Sequence, residues 1–179
     1  MEKTGSMKFD RYKQAELRSV VILGDFMPSM FQPLWLASKK IIGEDEAKSA
    51  CDVVISHDIC RFKTGDWLEF LCIQNKMQIL TRKAPYFPML RDFVIQIIGL
   101  IPNNVINSIG FNYNFSFGLI NSTEFYVIGK QLGCLDKWKN ILSEPTLRQL
   151  SIQNGIDENR SLMTLNIQPT PSEMHINFG

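Results

Sequence analysis

The sequence predicts an α+β domain: a largely antiparallel sheet with helices packed mainly on one face. Three observations lead there. Strand-like runs come in blocks joined by short turns, which is the pattern of hairpins rather than of parallel crossovers. Residues 88–101 carry Leu90, Phe93, Val94, Ile97, Ile98 and Ile101 at the spacing of one helix face. Residues 109–119 alternate strictly, with Ile109, Phe111, Tyr113, Phe115, Phe117 and Leu119 on one side and Gly110, Asn112, Asn114, Ser116 and Gly118 on the other.

The chain has 179 residues, 45% of them apolar and 21% charged, which is enough apolar material for a core. Residues 1–15 lack apolar periodicity and are expected to form a flexible arm, with 16–179 as a single domain. The first strand is expected at 17–24, where a β-branched run ends at Gly24. A helix is expected from Pro28 to about Lys39, capped by Ser29, with Pro33 tolerated in its first turn. The acidic stretch 43–49 reads as a solvated connection. Strands follow at 50–56, 60–63, 67–74 and 77–82. Cys51, Val53 and Ile55 are expected on one face of the first, and a tight link at Asn75-Lys76 joins the last two. The third of these is apolar on both faces, which suits a central strand.

The 88–101 helix starts among Pro85 and Pro88 and is stopped by Pro102. It is expected to pack on the aromatic face of the 109–119 strand. Ser122 or Thr123 can cap a helix to about Gln131, Gly133 stops it, and a second helix at 135–142 would align Leu135, Trp138 and Leu142. Strands at 147–153, 161–168 and 173–178 close the chain.

The usual chemistries find little footing. Cys51, Cys60, Cys72 and Cys134 match no zinc or redox spacing and sit among apolar or strand-like neighbours, so all four read as reduced, buried thiols. His57 and Cys60, with Cys51 and Asp58 near, form one loose group with no distant pair to complete a metal site, and no metal is expected. His57 with Cys60, or His175 with Cys134, are the available thiol–imidazole pairs, and both read more simply as structural residues. No phosphate-binding glycine loop is present. The net charge of +1 gives no basic excess to hold nucleic acid, so that class is disfavoured. The polar N-terminus has no secretory pattern and no apolar run is long enough to span a bilayer, so a cytoplasmic protein without membrane contact is expected.

Two surfaces remain as candidates. The polar side of the long strand, Asn112, Asn114 and Ser116, is small enough to let a partner backbone approach, although a solvated sheet face has the same composition. The alternative is a pocket between the sheet and the 122–142 helices, lined by Trp67, Tyr126 and Trp138, for a small molecule or nucleotide.

Leu90-Arg91-Asp92 through Ile97, then Pro102, then Ile109-Gly110-Phe111-Asn112-Tyr113-Asn114-Phe115 form one set of matching residues. With Ile128-Gly129-Lys130-Gln131-Leu132, Trp138, Pro145, Leu147 and Leu165-Asn166-Ile167-Gln168-Pro169, this spacing resembles a sporadically distributed set of bacterial hypothetical proteins over about residues 50–179. The resemblance implies no catalytic residues. The sporadic distribution of that set implies an accessory gene cassette, including anti-phage defence. The expectation is therefore a non-enzymatic subunit without a cofactor that binds another protein subunit or itself.

Overall fold

A computed structural model describes residues 13–102, 105–119, 122–154, 162–170 and 175–178. The chain divides into two compact units, one of residues 17–113 and one of residues 114–179 with the N-terminal residues to 16. The arm expected at 1–15 lies outside the described residues up to position 12, and strand begins at Lys13.

The unit 17–113 is built on strands β1 (Lys13–Gly24), β2 (Cys51–Ile55), β3 (Ile59–Thr64), β4 (Leu68–Ile73), β5 (Lys76–Thr81) and β6 (Ile106–Gly118), in the sheet order β2-β3-β4-β5-β1-β6. The pairs β2–β3, β3–β4, β4–β5 and β1–β5 are all antiparallel. The α+β class with an antiparallel sheet is therefore what the chain adopts. The turn of the β4–β5 hairpin is Gln74-Asn75 and not the expected Asn75-Lys76, because Ile73 pairs directly with Lys76.

Three helices belong to this unit: α1 (Pro33–Ser38), α2 (Glu44–Lys48) and α3 (Phe87–Leu100). Alternation sends Val20, Ile22, Phe62, Phe70, Cys72, Met77 and Ile79 to one face of the sheet. There they form a single buried cluster with Leu36, Ala47, Leu90, Phe93, Val94 and Ile97 of the helices. At roughly 25 cal/mol per Å² of apolar surface removed from water, this cluster is the main stabilising term of the unit. Phe70 anchors it, stacked on Phe62 at 4.9 Å between ring centroids and edge-on to Phe93 at 6.4 Å.

Several local expectations are corrected. The 28–39 helix is split into a 3-10 turn at Pro28–Met30 and α1. Pro33 has no N–H to offer the Ser29 carbonyl, and the Gln32 side-chain amide donates to it instead at 2.8 Å. The acidic stretch at 43–49 is not a bare connection but contains α2. Glu46 explains it: one carboxylate oxygen accepts from the Gly43 N–H at 2.9 Å, and the other from Trp67 Nε1 at 3.1 Å. Cys51, Val53 and Ile55 do not share an even face, because the register slips between Cys51 and Val54, with Asp52 in the left-handed region at φ 53°.

In the second unit, the C-terminal end of β6 pairs with β9 (His175–Phe178), β9 with β8 (Thr164–Thr170), and β8 with β7 (Leu150–Gln153), all antiparallel. Helix α4 (Ser122–Gly133) brings Gly129 against Leu147 and Leu135, where a Cβ would lie 3.1 Å from Leu147 Cβ. The helix expected at 135–142 is a single 3-10 turn, Leu135–Trp138. Only Leu135 of its apolar stripe is buried, and so short a helix does not persist without a face to bury.

Candidate functional site

Helix α3 does not cover the aromatic face of β6. Its inward stripe of Leu90, Phe93, Val94 and Ile97 enters the core beside Phe70 and Trp67, so the helix lies over β4 and β5. The expectation that Phe111 and Tyr113 are buried beneath it is thus corrected: Phe111 is 63% exposed and Tyr113 49%. Alternation fixed which residues share a strand face, but nothing in it chose which strand the helix would cover.

The offset opens a groove of about 480 Å³ inside the unit 17–113. Its floor is Arg18 and Val20 of β1 with Phe111 and Tyr113 of β6. Its wall is Phe87, Pro88, Arg91, Val94, Ile95 and Ile98 of α3. The outer side of α3 is apolar as well, and Ile95 is 61% exposed. Arg18 lies along the floor, with its guanidinium carbon 3.7 Å from the Phe87 ring centroid and 5.3 Å from that of Tyr113. At the rim, Arg91 pairs with Asp92 at 2.7 Å. The groove thus offers aromatic and branched aliphatic surface with cationic planes set among it. That surface is suited to apolar groups; its lining holds no arrangement of acid, base and nucleophile.

The expected partner-binding residues divide. Asn112 borders the groove, but its amide donates to the buried Ser19 hydroxyl at 3.4 Å on the sheet face opposite the Phe111 and Tyr113 rings. Asn114 and Ser116 belong to the other unit. The expected pocket residues divide too. Trp67 is a core residue, 7% exposed, stacked on Tyr86 at 6.0 Å and edge-on to Phe93 at 6.2 Å. Tyr126 is half-buried and Trp138 exposed, both in the second unit.

His57 sits in the exposed β2–β3 turn with Nδ1 3.0 Å from an Asp58 carboxylate oxygen. Cys60 turns the other way, its thiol donating to the Phe31 carbonyl at 3.3 Å in the core. Burial pushes the Cys60 thiol up to about 11 and the Cys72 thiol up to about 12, the latter raised further by its neighbour Cys60. Such thiols are poor nucleophiles. Among the described residues, no three His, Cys, Asp or Glu side chains gather around a common point, and no helix is long and apolar enough to cross a membrane. In the second unit, Lys130 and then Lys139 bond the Asp136 carboxylate and hold it below the usual carboxylate range, an exposed surface arrangement.

Sequence reasoning missed Arg18, Phe87 and Ile95, and placed Ile98 only on the helix's core-facing stripe. A signal existed: Met89, Ile95 and Leu100 make α3 apolar beyond the one stripe that a surface helix needs. No family model, curated protein or solved structure matches the chain, so the groove is read from its own geometry.

Proposed function

We propose that this protein is a non-enzymatic binding subunit that takes an apolar segment of a partner protein into the groove between α3 and β6. The observation that carries the reading is the exposure of Phe111, Tyr113 and Ile95 around one groove. Large apolar side chains gathered in one concave patch cost solubility, and such patches are kept where they are covered by something. Aromatic anchors in a groove are also the usual carriers of interface energy. The bacterial setting, an accessory or anti-phage defence cassette, is supported by the sequence resemblance alone.

The test is co-purification of the full chain with the products of its neighbouring genes. Phe111→Asp combined with Ile95→Asp is expected to weaken the complex by roughly 30-fold or more, the scale of losing an interface anchor. Far-UV circular dichroism should be unchanged, because both side chains are exposed. A complex that survives the double substitution with its affinity intact refutes the reading.

A second reading, a small-molecule or nucleotide ligand in the same groove, is supported by its volume, which lies in the ordinary range for such sites. A ligand that raises the melting temperature of the wild-type chain but not of the Phe111→Asp variant would favour it.

A further inference from the structure

We propose that two copies of the chain pair through β2, strand against strand across a two-fold axis, to form a homodimer. This rests on a different surface from the groove and stands or falls separately.

β2 ends the strand order of its sheet, and among the described residues its one neighbour is β3. All of its residues are exposed, including Val53, Val54 and Ile55, so this edge is apolar on both sides of the sheet. The backbone is free on the outer side in a definite pattern. The Ser56 N–H donates to the Ile59 carbonyl at 2.8 Å, and Val54 pairs with Arg61. In an antiparallel ladder the bonding residues alternate, so Val54 turns its N–H and C=O to β3 while Ile55 and Val53 turn theirs outward. Proteins normally blunt such an edge with lysine, proline or a bulge. Here the bulge at Asp52 blunts only the N-terminal end, and Val53-Val54-Ile55 carries no charge and no proline.

A second β2 is the occupant that this edge fits. An antiparallel two-fold pairing must set outward residues opposite each other, which is met when Val53 faces Ile55 of the second copy and Val54 faces Val54. Branched apolar side chains then meet as cross-strand pairs, the combination that stabilises sheets. The same register sets Asp52 opposite Ser56, so no like charges meet, and Asp52 is already neutralised by Lys63 at 2.9 Å. A net charge of +1 leaves little repulsion between whole chains. The contact is isologous, which is the commonest way for identical chains to associate.

Sedimentation equilibrium of the full chain over a micromolar concentration series tests this. Wild type is expected to approach twice the chain mass. Val54→Lys and Val54→Glu, each placing like charges opposite across the axis, are expected to remain monomeric. An equimolar mixture of the two should recover the dimer, because Lys then faces Glu. Ile55→Pro removes an outward N–H that the fold does not use, and is also expected to be monomeric with its circular dichroism retained. A wild-type chain that stays monomeric throughout overturns the proposal. So does a dimer that persists in both Val54→Lys and Ile55→Pro.

Discussion

Cys60 and Cys72 stand directly opposite each other on β3 and β4, both fully buried. Burial disfavours their thiolates, so the folded state holds these two protons more tightly than the unfolded chain, whose thiols ionise near 9.0. The corresponding stability is fully present below pH 9.0 and is lost as pH rises through about 11 and about 12. The urea midpoint of the wild-type chain is therefore expected to fall across that window. The double variant Cys60→Val, Cys72→Val should lose much of the slope. A thiol reagent at neutral pH checks the same burial: Cys51 and Cys134, both exposed, should react in the native protein, and Cys60 and Cys72 only on unfolding. The sequence placed all four cysteines in the core, and Cys51 and Cys134 correct that expectation. Whether a thiol is inert depends on which strand face is covered, and that is a tertiary fact.

At the scale of elements, α3 carries two apolar surfaces with opposite fates. Ile97 is fully buried, and Ile97→Ala should cost about 2–5 kcal/mol of unfolding free energy, the usual range for emptying a packed site. Ile95 is exposed, and Ile95→Ala should change stability by no more than about 0.5 kcal/mol. Equal losses at the two positions would mean that α3 is seated on another face. Much of this helix was legible in the chain: the inward stripe Leu90, Phe93, Val94 and Ile97 is the helical periodicity itself, and the prolines mark its ends. The strands at β3 to β6 were legible for the same reason. What could not be read was the pairing of one element with another. Periodicity says that a helix has a face to bury and that β6 has an aromatic side, but it carries no information on whether those two meet. They do not, and the groove is the result. The misread α2 has a different cause: Glu46 closes that helix turn through bonds to Gly43 and to Trp67, and Trp67 is remote in sequence.

At the scale of the molecule, the main hydrophobic cluster falls wholly inside residues 17–113, from Val20 to Ile101, with Val105 and Ile106 packed against it. A fragment of residues 17–113 is therefore expected to unfold cooperatively by itself, with a single transition seen alike by tryptophan fluorescence and far-UV circular dichroism. Non-coincident transitions, or a fragment without fixed structure, would show that the core depends on the rest of the chain. Trp67 is a suitable reporter because its ring lies within that core, between Tyr86 and Phe93.

The left-handed Asp52 has one further consequence. Fibril-forming segments need six or seven consecutive residues that can stack in register along an axis. By breaking the ladder after Cys51, Asp52 shortens the apolar edge of β2 to Val53-Val54-Ile55, which is below that length. An edge that short can close on one other molecule, but it is below the length that stacks into a fibril. The bulge thus works against fibril growth from this edge.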